Sequence, residues 1–268
     1  MAEGRVTDGA FGPVPLGWRF EVYDELPSTS DLCVERADGG EGGCLAVLAR
    51  RQTKARGSRG RSWSDPGESL ALSVLLRPEE AERARPDIWP FLAALAFHDA
   101  LGGERSSSRL RIKWPNDILY DGRKLGGILI ETGGGASPWV VIGFGGNLTS
   151  SPAVPGRRLA CLGEFRVDCA PEPLALRLLE ALDVWRTVLA QKGVAALHAA
   201  WLARGLPLGS PLVVRGMGTY AEGLFMGIGE GGELLLDCNG KVERVITGDV
   251  LFGNHVTNEV GSGRAAGH

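Results

Sequence analysis

Residues 109–131 read RLRIKWPNDILYDGRKLGGILIE, and they hold two of only five lysines in a chain whose Lys and Arg together number 29. Lys113 precedes a Trp-Pro-Asn-Asp turn and Lys124 precedes a Gly-Gly strand. In an Arg-rich protein a lysine is the more informative cation, because it offers a compact point charge where Arg offers a planar fork. Lys113, Asn116, Asp117 and Lys124 gathered around one turn would bring a carboxylate and two ammonium groups together, a set able to hold a metal and two anionic groups. Each residue also has a plain structural explanation: Asn116 and Asp117 suit a turn, Asp121-Gly122 suits a hairpin, and Lys113 suits a strand end.

A second group lies upstream. RQTKARGSRGRSW (51–63) carries Arg51, Lys54, Arg56, Arg59 and Arg61, interleaved with Gly57, Ser58 and Gly60. Glycine lets a backbone approach an anion, and the cations supply charge and donors. A phosphate-bearing ligand and a solvated arginine loop both fit this composition. The P-loop pattern is absent. A third group, VIGFGGNL (141–148), places Gly143, Gly145 and Gly146 at a strand end, where a ligand or another strand can come close.

Elements must position these groups. WRFEVYDEL (18–26) predicts a strand, and DLCVERA a short helix capped by Ser28 or Thr29. CLAVLAR (44–50) and ALSVLLRP (71–78) read as buried strands around a long loop, 51–69. DIWPFLAALAFHDAL (87–101) has helical spacing. LRIKW (110–114) and PWVVIGFGGNL (138–148) read as strands, and 117–131 as a hairpin turning at Asp121-Gly122. A Pro-rich connection fills 151–173. PLALRLLEALDVWRTVLAQ (173–191) puts Leu174, Leu178, Leu182 and Trp185 on one helical face, and GVAALHAAWLARG (193–205) is a second helix ended by Gly205. After Leu206-Pro207, four short alternating segments with Gly, Asn and Asp turns predict a small β-barrel. The fold class is α+β. The expected division is a flexible tail at 1–17, a main domain at 18–205, a barrel at 206–255 and a second tail at 256–268.

Composition narrows the function. Apolar content of 44% and charged content of 23% are ordinary for a globular protein. A net charge of -3 argues against a general nucleic-acid surface. Five cysteines without a C-x-x-C pair, and four scattered histidines, argue against a disulfide framework and structural zinc and favour a reducing, cytoplasmic setting. No segment approaches 18 apolar residues, and no secretory signal opens the chain. His98 and His198 fall in helical runs and read as packed or solvated.

These motifs together resemble those of biotin protein ligases. RQTKARGSRGRSW is similar to that family's Q-T-x-G-R-G-R-x-G-R-x-W loop. KWPNDILYDGRKLGGILIE is similar to its K-W-P-N-D…K-x-x-G-[IV]-L-x-E block, STSDL to its Ser-Thr-Asn helix start, and VIGFGGNL to its glycine-rich strand ending in Asn147. The resemblance runs from about Arg19 to about Phe252. It implies a mixed sheet backed by helices, of the class II synthetase and biotin/lipoate ligase type, then an SH3-like barrel. It implies ATP and Mg²⁺ as cofactors and biotin as substrate. Biotinyl-5′-adenylate would form first, and a lysine of a biotin carboxyl carrier domain, of acetyl-CoA carboxylase or a related carboxylase, would then take the biotinyl group.

By resemblance, Lys124, Arg56, Lys113 and Asp117 are the catalytic set, with Asp117 also a candidate Mg²⁺ ligand. Ser28, Thr29, Gln52, Arg56, Lys124, Gly126, Gly127 and Gly145 would hold biotin. Arg56, Arg59, Arg61, Trp63, Asn116, Lys124 and Asn147 would hold the adenylate. Two positions depart from the family's loop: Ala55 stands for a glycine, and Ser58 for the second arginine, with Arg59 the expected replacement cation. Fewer than about 20 residues precede the first strand, too few for a DNA-binding helix-turn-helix, so no DNA partner and no membrane partner are expected. A homodimer formed through an exposed sheet edge is compatible with the pattern. The alternatives are a lipoate or octanoate ligase or transferase of the same fold, for which Cys161 and Cys169 are the only nucleophile candidates, and a pocket that binds without catalysis.

Overall fold

The computed structural model describes residues 5–6, 12–61, 63, 69–102, 109–166, 170–216 and 219–252. Cys169, His255 and His268 lie outside these, as does the expected tail at 256–268. The described chain divides into two compact units. One comprises residues up to Ile112 with Asn116–Arg204, and the other Lys113–Pro115 with the residues from Gly205 onward.

The first unit is built on an eight-stranded mixed sheet. Its strands are β1 (Arg5–Val6), β2 (Arg19–Leu26), β3 (Leu45–Gln52), β4 (Ser69–Leu76), β5 (Leu110–Lys113), β6 (Asp117–Tyr120), β7 (Arg123–Gly133) and β8 (Trp139–Asn147), in the order β1-β2-β3-β4-β8-β7-β6-β5. β2 and β3 run parallel, whereas β3-β4, β4-β8, β8-β7 and β7-β6 are antiparallel. Every residue of β4 is buried, Ser69 and Ser73 among its apolar neighbours included, as befits the centre of a sheet covered on both faces. β1 lies within the stretch read from sequence as a tail; its two residues pair with Val22 and Glu21.

Helix α1 (Thr29–Asp38) covers one face, packing Cys33 and Ala37 against Leu45, Val47, Ala49, Leu75 and Val141. Its start follows from Ser28, whose Oγ accepts from the Asp31 amide at 3.2 Å. A four-residue helix, α2 (Glu80–Arg83), leads to α3 (Trp89–Ala100), which covers the other face with α4 (Pro171–Arg204). The two helices expected at 173–191 and 193–205 are the two arms of α4, joined at Gly193, whose φ of 72° is open to glycine. Leu174, Leu178, Leu182 and Trp185 are all buried, as their spacing predicts. The hairpin turns at Asp121 (φ 49°) and Gly122 (φ 69°), the two positive angles of a type I′ turn.

The second unit is an antiparallel sheet of five strands: β9 (Pro211–Gly216), β10 (Thr219–Ile228), β11 (Leu234–Cys238), β12 (Lys241–Val245) and β13 (Asp249–Phe252), in the order β12-β11-β10-β9-β13. Where four alternating segments are expected after Leu206-Pro207, five strands form, the last segment, VERVITGDV, being divided at 246–248 into β12 and β13. No closing pair between β12 and β13 occurs among the described residues. The Lys113–Pro115 turn belongs with this sheet. Lys113 Nζ donates to the Val250 carbonyl at 3.1 Å and Trp114 Nε1 to the Gly232 carbonyl at 3.0 Å.

Candidate functional site

The first unit holds a cleft of about 510 Å³ of empty space, counted with its open mouth. Ser28, Thr29, Gln52, Arg56, Trp63, Asn116, Lys124, Gly127 and Gly145 all line it, so nine of the residues singled out in the sequence converge on one place. Gly143, expected at a strand end where a ligand or another strand can come close, joins them, as do Ser30 and Ser73, for which the sequence suggests no ligand role.

Lys124 reaches the cleft through an irregularity. Ile118 pairs with Gly126, but Leu119 pairs with Lys124, leaving Leu125 as an extra residue in β7. Without this bulge, strict alternation would put Lys124 on the same face as Gly126. With it, Lys124 and Gly127 share the cleft face, and a Cβ built on Gly127 would lie 3.1 Å from Lys124 Nζ. The connection after β8 fixes the same segment: Lys124 N donates to the Arg158 carbonyl and Ala160 N to the Lys124 carbonyl, both at 2.9 Å. Lys124 Nζ lies 2.5 Å from Asp117 Oδ1, with the side chains 25% and 14% exposed. It also lies 5.4 Å from the centre of the Trp63 ring. A half-buried ammonium held by one carboxylate and one aromatic face is pre-positioned for an anionic group.

The glycines divide between the faces of the sheet. A Cβ at Gly145 would meet Trp63 at 3.0 Å, and one at Gly143 would meet Ser30 Oγ at 2.7 Å. Gly126 points the other way, where a Cβ would meet the Phe97 ring at 2.7 Å, and Gly146 also faces Phe97. Gly126, expected beside a ligand ring, therefore makes room for a helix side chain of α3. A pair of adjacent glycines gives no sign in sequence of which faces which way.

The Arg loop folds back on itself. Gly57 N donates to the Arg61 carbonyl at 2.7 Å, and Trp63 N to the Ala55 carbonyl at 3.0 Å. Arg56 bridges Asp31 at 2.5 Å and Glu131 at 3.0 Å, two carboxylates the sequence reading did not identify. Burial disfavours its charge, but the Glu131 and Asp31 carboxylates outweigh that and hold its pKa above the usual arginine value. Arg61 donates to Ser58, to its carbonyl at 3.3 Å and its hydroxyl at 3.1 Å. Arg59 belongs to the 3₁₀ turn Ser58–Gly60; its side chain lies outside what is described.

The far end of the cleft is lined with hydroxyls. Gln52 Oε1 accepts from Thr29 N at 2.8 Å and from Thr29 Oγ1 at 3.1 Å. Thr29 Oγ1 and Ser73 Oγ are 2.8 Å apart, and Ser30 Oγ and Ser73 Oγ are 2.9 Å apart. Asn116 closes its turn by donating from Nδ2 to the Ile128 carbonyl at 2.6 Å. Asn147 Nδ2 donates to the Ala160 carbonyl at 2.9 Å, while its buried Oδ1 and the buried Trp63 Nε1 meet no hydrogen-bond partner among the described residues. Lys113 is not among the residues lining the cleft; its Nζ donates to the Val250 carbonyl.

A metal fits this site only through a phosphate-bearing ligand. Among the described residues no group of three or more His, Cys, Asp or Glu converges, and Asp117 contributes a single carboxylate. Mg²⁺ carried on nucleotide phosphates commonly needs only one or two protein carboxylates. His98, buried in α3, places Nδ1 3.3 Å from Asp99 and is a packed residue. Cys161 approaches the Thr149 carbonyl, with its Sγ at 3.4 Å. No helix among the described residues is long and apolar enough to cross a membrane.

Residues 41–147 match the model of the biotin/lipoate A/B protein ligase family. The biotin--[acetyl-CoA-carboxylase] ligase of Paracoccus denitrificans is 36% identical over 223 residues, covering 80% of this chain and 92% of that protein. The enzyme of the same name from Mycobacterium tuberculosis is 33% identical over 250 residues, covering 88% and 90%. Among solved structures, the biotin protein ligase from Aquifex aeolicus in complex with biotin and ATP superposes with a TM-score of 0.72 at 24% identity, covering 87% of this chain and 97% of that one; at this identity it supports the fold alone. On the extent and identity of the two bacterial matches, the chain belongs to the biotin protein ligase family.

Proposed function

We infer that the chain activates biotin with ATP and transfers the biotinyl group to a lysine of a carboxylase carrier domain. In the first step a biotin carboxylate oxygen attacks the α-phosphorus of ATP, and pyrophosphate leaves. In the second the carrier lysine attacks the carbonyl of the mixed anhydride; AMP leaves and the amine loses a proton. Both reactants of the first step are anions, so cationic groups that strengthen their hold as charge redistributes will speed it. The observation that carries this reading is Lys124, set by a bulge and by Asp117 beside a glycine cradle whose far end is lined with hydroxyls.

The proposed roles follow the geometry. Lys124 contacts the biotin carboxylate and the α-phosphate. Asp117 holds Lys124 in place and would be the protein ligand to Mg²⁺ bound with ATP, which would neutralise phosphate charge. Gln52, Ser28 and Thr29 bind the ring end of biotin, and Gly127 and Gly145 give it flat backbone to lie on. Trp63 lines the adjoining wall, its ring beside Gly145 and Lys124. Arg56 and Arg61 frame the nucleotide side, with Arg59 the sequence candidate for the loop's missing cation, and Asn116 and Asn147 fix the turns around it. Lys113 contributes to holding its turn against the C-terminal sheet. We assign 18–205, together with β1, as the catalytic domain, and the residues from 206 onward as a small domain of SH3-like type, for which five short antiparallel strands are the support.

Incubation with labelled biotin, MgATP and a carrier domain tests the reading. Labelled carrier with ATP-dependent pyrophosphate release is the expected result. Transfer of lipoate or octanoate in preference to biotin would replace it with the other activity of the fold.

A further inference from the structure

The hydroxyls at the far end of the cleft have a direction that their donor and acceptor capacities fix. A hydroxyl donates one hydrogen and accepts two. The Thr29 backbone N–H lies 2.8 Å from Gln52 Oε1, so that atom is an oxygen and the amide orientation is set. Thr29 Oγ1, 3.1 Å from the same oxygen, has to donate to it, because two lone pairs would otherwise face each other. With its hydrogen committed, Thr29 Oγ1 can only accept from Ser73 Oγ at 2.8 Å. Ser73 Oγ then has no hydrogen left and accepts from Ser30 Oγ at 2.9 Å. The protons therefore run one way, from Ser30 to Ser73 to Thr29 to Gln52. Gly143 leaves space for the Ser30 hydroxyl, since a Cβ there would sit 2.7 Å from it.

We propose that Ser73, fully buried beneath Thr29 and Ser30, is a positioning residue for substrate choice: it draws the Ser30 hydroxyl hydrogen onto its own oxygen, while Gln52 takes that of Thr29, so that the two hydroxyls present lone pairs to the cleft and select a ring bearing N–H donors. The cyclic urea of biotin carries two such N–H groups, whereas the dithiolane of lipoate and the chain of octanoate carry none. An N–H donor satisfies the lone pairs, and an apolar ring leaves buried acceptors unpaired. This inference rests on the ligase reading above.

Replacing Ser73 by Ala frees the Ser30 hydrogen to turn towards the ligand, where it would oppose an N–H group. Steady-state pyrophosphate release with biotin and with a biotin methylated on both ureido nitrogens measures this. For Ser73→Ala, the KM for biotin is expected to rise by on the order of tenfold to a hundredfold, the loss of one or two hydrogen bonds. The KM for ATP should stay within about twofold of wild type, and the KM for the methylated analogue within about threefold. Ser30→Ala in the same chain removes the opposing donor, so the double variant should be no worse than Ser73→Ala alone.

A KM for biotin within about twofold of wild type in Ser73→Ala overturns the inference, as do effects of the two changes that simply multiply. If Ser73→Ala loses its cooperative thermal transition, Ser30→Ala decides alone: a rise of about fivefold in the KM for biotin, absent with the methylated analogue, is expected, and no rise overturns the proposal. Wild-type chain that releases no pyrophosphate with biotin overturns the ligase reading itself. Biotin turnover with insensitive serine variants overturns only the relay.

Discussion

Lys113 and Lys124 open and close one motif, yet the fold uses them differently. Lys124 is set in the cleft of the first unit, 2.5 Å from Asp117 and over Trp63. Lys113 belongs with the C-terminal sheet, where it donates to the Val250 carbonyl beside the Trp114–Gly232 bond. The same residue type, eleven positions apart, is in one case a charge aimed at a ligand and in the other a clamp on main chain. The difference lies in partners. A carbonyl uses an ammonium as a hydrogen-bond donor, whereas a lone carboxylate and an aromatic face hold its charge towards an incoming anion.

Substitutions can break or sharpen this contrast. Lys124→Met should have the largest effect, lowering kcat for biotin-dependent pyrophosphate release by on the order of 10²–10³-fold, as for the loss of one preorganised donor at developing charge. A decrease under tenfold would remove Lys124 from the chemistry. Asp117→Asn keeps the shape and loses the ion pair, and a fall of about tenfold to a hundredfold is expected in the same assay. Gly127→Ala puts a methyl group 3.1 Å from Lys124 Nζ, so the ammonium must shift by a few tenths of an ångström. Because the end of a lysine is flexible, a loss of only about threefold to tenfold is expected, read as kcat/KM for biotin. Lys113→Met should act on stability instead. A cost of about 1 kcal/mol, measured by denaturant unfolding, is expected for one half-buried hydrogen bond, with adenylate formation within about twofold of wild type. If Lys113→Met abolished adenylation in folded protein, the contrast would collapse.

Much of the fold was legible in the sequence. The strands at 19–26 and 45–52, the hairpin at Asp121-Gly122 and the apolar face of α4 followed from local patterns, because alternation, helical spacing and turn residues act over a few positions. The site was legible in outline, since nine of the chosen residues share one cleft. Ser30 and Ser73 were not legible. One sits in a helix start and the other inside a buried strand, 43 positions apart in sequence, and only sheet pairing joins them. Asp31 and Glu131 were missed as partners of Arg56 for the same reason.

By itself, the sequence determined the elements, the type I′ turn, the family, and the residue types available for handling anions. These depend on steric and polar preferences that each short segment expresses alone. Tertiary structure decided which way those residues face. A single extra residue at Leu125 turned Lys124 to the cleft side of β7, and helix α3, through Phe97, took Gly126 and Gly146 for packing and left Gly127 and Gly145 to the cleft. Neither outcome is visible locally. A strand's two faces are chemically equivalent until a helix covers one of them, and a bulge reverses the alternation at the cost of one unpaired residue.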